Sequence, residues 1–143
     1  MKIIPALSLM FAAVLLGAAL PAGSDAPVKN FVLKIFTREG PLAYVVRGAV
    51  ARYRGPDLID VTDMNITIYS TGAGIHPETI LLSPQASFLP AANRAQGQKS
   101  VRFIRDDLEA WGTQWTYDHA EKRISLDQQV RVVFHAELKD ILK

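Results

Sequence analysis

From Ile124 to Phe134 the chain alternates, with Ile124, Leu126, Val130, Val132 and Phe134 on one parity and Ser125, Asp127, Gln129, Arg131 and His135 on the other. An apolar side chain at every second position belongs to a strand with one buried face and one wet face, not to a helix. The pattern recurs. Met64, Ile66 and Ile68 alternate with Asn65 and Thr67, while Ile80, Leu82, Ala86 and Phe88 oppose Ser83, Gln85 and Ser87. Trp111, Trp115 and Tyr117 also share a parity, which predicts three aromatics on one side of one strand. Between these runs stand the turn compositions Arg54–Asp57 (RGPD), Ser70–Gly74 (STGAG), Leu89–Gly97 (LPAANRAQG) and Asp118–Lys122 (DHAEK). Strand-length runs broken in this way predict an all-β, antiparallel domain.

The first residues are of another kind. Met1-Lys2 precedes an uncharged run from Ile3 to Leu20, which gives way to PAGSDAP. A basic start, an apolar middle and a small-residue exit are the layout of an export signal. The same run is just long enough for a retained membrane span, so residues 1–24 read either as a cleaved signal peptide or as an apolar helical anchor. Both place the body of the protein outside the cytoplasm. With no cysteine in 143 residues, neither disulfides nor a lipid-modified cysteine can hold it. Residues 25–41 read as a lead-in, 42–136 as the β-domain and 137–143 as a tail or a short C-terminal helix with Leu138, Ile141 and Leu142 on one side.

Little chemistry accompanies the pattern. Without Lys2 the body carries 15 Lys and Arg against 14 Asp and Glu, a balance too even for bulk nucleic-acid affinity. His76, His119 and His135 stand at no metal-ligand spacing, so no metal and no cofactor is expected. Asp106, Asp107 and Glu109 beside Trp111 resemble a glycosidase carboxylate pair next to an aromatic, yet adjacent carboxylates on a strand point to opposite faces. The serines lack a nucleophile-elbow setting, and no phosphate-binding glycine loop occurs. The expectation is a protein that is not an enzyme.

Two internal echoes suggest repetition. Ile80–Phe88 (ILLSPQASF) and Ile124–Val132 (ISLDQQVRV) match as Ile-x-Leu-x-x-x-apolar-x-apolar, and Gly48–Tyr53 and Gly112–Tyr117 share Gly and Tyr at the same spacing. Stacked β units of this kind bury a core that one unit alone cannot.

Leu108–Phe134, together with Tyr44–Gly55 and Glu78–Phe88, resembles the repeating unit of the OstA-like family of lipopolysaccharide-transport proteins, its LptC-like members before its LptA-like ones, over roughly residues 42–135. The resemblance implies a twisted antiparallel β-jellyroll, open at both ends and preceded by an N-terminal apolar helix. It further implies a periplasmic location, with the domain either soluble after signal cleavage or tethered to the inner membrane. The implied ligand is lipopolysaccharide, whose acyl chains would meet a lumen lined by Ile66, Ile68, Leu82, Phe88, Trp115, Leu126, Val130, Val132 and Phe134. Arg47, Arg52 and Arg102 are candidates for its phosphates. The implied partners are other transport jellyrolls, docked edge to edge, and an inner-membrane ABC transporter. The bland alternative is an exported scaffolding β-domain with a closed core and no lipid ligand.

Overall fold

A computed structural model of the chain describes residues 26–70 and 76–135. The expected N-terminal signal or anchor, the C-terminal helix and most of the STGAG turn lie outside the described residues. The rest is all-β, as the alternation predicts. Seven strands follow one another in a single antiparallel sheet whose spatial order is the chain order. They are β1 (Val28–Phe36), β2 (Leu42–Gly55), β3 (Leu58–Ser70), β4 (His76–Leu89), β5 (Arg94–Arg105), β6 (Leu108–Asp118) and β7 (Arg123–Phe134). β1 lies within the stretch read as a lead-in and pairs along β2 from Val28↔Ala51 to Phe36↔Leu42. Among the described residues the only helical turn is the 3-10 segment Pro90–Ala92 between β4 and β5.

These strands are long, and each is interrupted at the same level. Asn30 on β1, Asp63 on β3, Gln114 on β6 and Gln129 on β7 all take left-handed backbone angles, with φ between 54° and 55°. The pairing slips between Leu82 and Ser87 against β5, between Gly97 and Ser100 against β6, and between Trp111 and Thr113 against β7. Bulges sharpen the local bend of a strand. Set side by side on neighbouring strands they make a crease that crosses the whole sheet.

The crease folds the sheet on itself. Tyr44 pairs with Ile68, and Phe88 pairs with Ile59, nine positions away on β3. In a flat sheet those rows stand about 30 Å apart, at about 3.3 Å per residue. The two rings are instead 6.1 Å apart in an edge-to-face contact, and Tyr44 stacks on His119 of the β6–β7 turn at 4.5 Å. One half of each strand therefore forms one layer and the other half the facing layer. The inner rows are Leu33–Val46–Ile66–Leu81–Phe103–Ala110–Val132 in one layer and Tyr53–Ile59–Phe88–Ala95–Tyr117–Ile124 in the other.

A crease of bulges also changes which parity faces inward. On β4 the inner residues are Leu81 and Ser83 before the bulge and Ala86 and Phe88 after it, so Ile80 and Leu82 face outward. On β6 Gln114 is the extra residue. Trp115 and Tyr117 are buried inside, whereas Trp111 stands on the outer face, paired between Arg102 and Arg131. The three aromatics thus divide between two faces.

Candidate functional site

Four features are built on this frame: the interior, its polar end, the edge at β7 and the outer face. The interior is filled. Tyr44, Ile66, Leu81, Phe88 and Trp115 are each at most 2 % exposed and belong to one apolar cluster. Of the nine residues expected to line a lipid lumen, Ile66, Ile68, Phe88 and Trp115 sit in this cluster and Leu126 packs at its margin. Leu82 lies on the outer face, beside Asn65 and Arg102. Val130, Val132 and Phe134 belong to the inner parity of the terminal strand and remain 50 %, 43 % and 66 % exposed.

At one end the two layers stop short of full contact and leave a cavity of about 100 Å³. Ile68, Thr79, Phe103 and Arg105 line it from one layer and Tyr117, Lys122 and Ile124 from the other. A hydrogen-bonded cluster closes the adjoining space. The Tyr44 hydroxyl donates to Asn93 Oδ1, Tyr117 Oη lies 2.8 Å from His119 Nδ1, and Lys122 Nζ lies 3.0 Å from His119 Nε2. The His119 amide also donates to the Asn93 carbonyl at 3.0 Å, which ties the β6–β7 turn to the β4–β5 turn.

The electrostatics of this cluster follow from burial. A lysine ammonium can only donate, so His119 Nε2 is the acceptor and the ring proton resides on Nδ1, facing the Tyr117 oxygen. Desolvation, and then the nearby Lys122 charge, push the His119 pKa down to about 4. Burial pushes the Tyr44 hydroxyl up to about 12 and raises that of Tyr117 as well. All three groups are neutral at neutral pH, as a low-dielectric environment favours. The sequence weighs His119 only as a metal ligand and does not join it to Tyr44, Arg105 or Lys122, because only folding at the crease brings β2, β5 and the β6–β7 turn together.

The outer face holds the arginines. Arg47 and Arg102 share the row Val32–Arg47–Asn65–Leu82–Arg102–Trp111–Arg131, and Arg52 pairs with Asp60 on another outer row. None of the three reaches the interior cavity, whose basic groups are Arg105 and Lys122. Arg102 donates to Glu109 Oε2 at 3.0 and 3.2 Å, and the guanidinium groups of Arg102 and Arg131 lie 5.9 and 5.0 Å from the Trp111 ring. Such stacking of cations on an indole is attractive.

The acidic trio of the β5–β6 hairpin is dispersed. Asp107 is bound by Arg105 at 2.8 and 3.1 Å, and this hydrogen bond holds its carboxyl below the usual range. Glu109 is engaged by Arg102 on the outer face. A general acid needs its pKa raised, which is the opposite of what Arg105 does to Asp107. Among the described residues no cluster of His, Asp and Glu is placed to hold a metal ion, and no helix is long and apolar enough to cross a membrane. No family model matches the chain, and no curated protein matches it.

Proposed function

We propose that this protein is a periplasmic lipopolysaccharide-transport component, a twisted β-jellyroll of the OstA-like kind that shields acyl chains and docks edge to edge with other transport modules. The observation that carries the reading is the continuity of the inner rows onto β7. Val132 pairs with the buried Ala110 and Phe134 with the half-buried Leu108, yet both side chains stay open to solvent. An apolar lane therefore runs from the core to β7, the last strand of the sheet among the described residues. Hydrocarbon laid along it escapes water, at about 0.8 kcal/mol per methylene. β1, the other terminal strand, carries exposed Val32 and Phe36. Edge strands of this kind template the addition of another strand. In this reading lipid lies against β6 and β7, not in the middle of the interior, which Tyr44, Phe88 and Trp115 occupy.

That same filled interior favours a second reading, an exported scaffolding domain with a closed core and no lipid. A photo-crosslinking residue separates the two when placed at Val132, at Phe134 and, as a control on the opposite face of β7, at Arg131. In cell envelopes the lipid-transport reading expects lipopolysaccharide adducts from the first two positions and none from Arg131. Absence of adducts from both Val132 and Phe134 overturns it in favour of the scaffold. Intact mass of the exported protein decides between a cleaved signal and a retained anchor at residues 1–24.

A further inference from the structure

The groove that the transport reading leaves unused lies on the outer face, at the crease, on the far side of the sheet from the apolar rows. It encloses about 620 Å³, within the range of about 300–1,000 Å³ common for small-ligand sites. Its walls are polar: Gln85, Gln96, Gln98 and Gln114 with Lys99 and Asp127. Among the described residues none of these six side chains has a hydrogen-bond or ion-pair partner in the protein. One polar group from the core also reaches this groove. Trp115 lines it although it is only 2 % exposed, and its buried indole Nε1 has no hydrogen-bond partner. Buried tryptophan N–H groups usually find an acceptor. Gly97, paired with Trp115 on the neighbouring strand, lets the indole pack directly against the β5 backbone, because a Cβ there would stand 2.8 Å from Nε1.

We propose that this groove is a binding site for a neutral oligosaccharide, held by the amides of Gln85, Gln96, Gln98 and Gln114, with the Trp115 indole in the wall beside them. Four amide side chains each offer a donor and an acceptor in one plane, the arrangement that meets neighbouring ring hydroxyls. The charge balance selects against a polyanion. Lys99 offsets Asp127, Asp60 is already paired with Arg54 at 2.8 Å, and no arginine lines the groove. A peptide would need apolar pockets for its side chains, and among the lining residues only Ala86 and the rim of Trp115 are apolar. The site shares no wall with β7's apolar lane, so it stands or falls independently of lipid transport.

The test is a titration of the full chain with maltohexaose, cellohexaose and chitohexaose, followed by ¹H–¹⁵N spectra. The chain has two tryptophans, so the two indole cross-peaks separate the groove from the opposite end of β6. At least one probe is expected to shift the Trp115 indole at millimolar concentration while that of Trp111 stays in place. Gln96→Ala combined with Gln98→Ala, both at exposed positions of β5, is expected to weaken the effect about tenfold or more without moving the Trp111 peak. The proposal is overturned if no probe shifts Trp115 or if the double variant responds like the parent. It is equally overturned if a Gly-Ser-Asn peptide gives the same shift as the saccharides.

Discussion

Gly48 shows how tightly single residues are held at the crease. A Cβ at this position would lie 2.2 Å from Val61 Cγ1 and 3.2 Å from the Thr62 carbonyl oxygen. Val61 is buried in the core cluster and cannot swing away without opening a void. Gly48→Ala therefore forces a backbone shift, at a cost of about 1–3 kcal/mol, readable as a lowered urea midpoint with an unchanged m-value. His119 sets a different limit. Its pKa falls from an ordinary 6.5 to about 4 on folding, so between these values the unfolded chain binds the extra proton. The stability that comes from burying the neutral ring is complete above pH 6.5 and is lost as pH falls toward 4. His119→Gln should flatten the urea midpoint across that interval, whereas the parent protein loses stability steadily through it. The Tyr44 and Tyr117 hydroxyls titrate far above this window.

At the scale of elements, the bulges decide which residues meet. Gln129 occupies the left-handed region at φ 54° on the edge strand β7, a conformation that costs a non-glycine residue about 1–2 kcal/mol. Gln129→Gly should be neutral or stabilise by up to about 1 kcal/mol, while Gln129→Val, β-branched at positive φ, should destabilise by about 1–3 kcal/mol. Thermal unfolding of the pair compares them directly; equal midpoints would argue against a bulge at this position. The same bulges explain what was legible in the sequence. Met64, Ile66 and Ile68 alternate on one side of the crease and were readable as a buried row, as were the hairpin turns at Arg54–Asp57 and Asp118–Lys122. Runs that cross the crease were not, because one extra residue flips the parity without changing the composition. That is why Leu82 and Trp111 face outward. The echo between Ile80–Phe88 and Ile124–Val132 joins β4 to β7, which run in opposite directions, so it marks no structural repeat. The looser echo is the structural one. β2 and β6 run in the same direction, Gly48 and Gly112 both sit at the crease under a facing aliphatic side chain, and Tyr53 and Tyr117 share an inner row.

For the whole molecule, folding one sheet on itself buries a shared apolar face but leaves two edges, since among the described residues no strand closes β1 onto β7. The inner face is consequently graded, dry at β2 to β4 and wet at β7. A charge introduced along the row Val46–Ile66–Leu81–Phe103–Ala110–Val132 therefore has a position-dependent cost. Val46 has no exposed surface. Val46→Glu places a carboxylate where it has neither water nor a partner, a penalty of several kcal/mol against a total stability of about 5–15 kcal/mol, and the chain should fail to fold. Val132 keeps 43 % of its surface, so a glutamate there can turn to solvent and should cost about 0.5 kcal/mol or less. This gradient separates support from function on a single row of the sheet. In the lipid-transport reading, Val132→Glu with Phe134→Glu yields a folded protein with near-parental unfolding behaviour that no longer forms lipopolysaccharide adducts at neighbouring Val130 and fails to complement loss of the parent. If the double variant folds and still complements fully, the apolar lane on β7 carries no lipid, and the closed scaffold accounts for the fold.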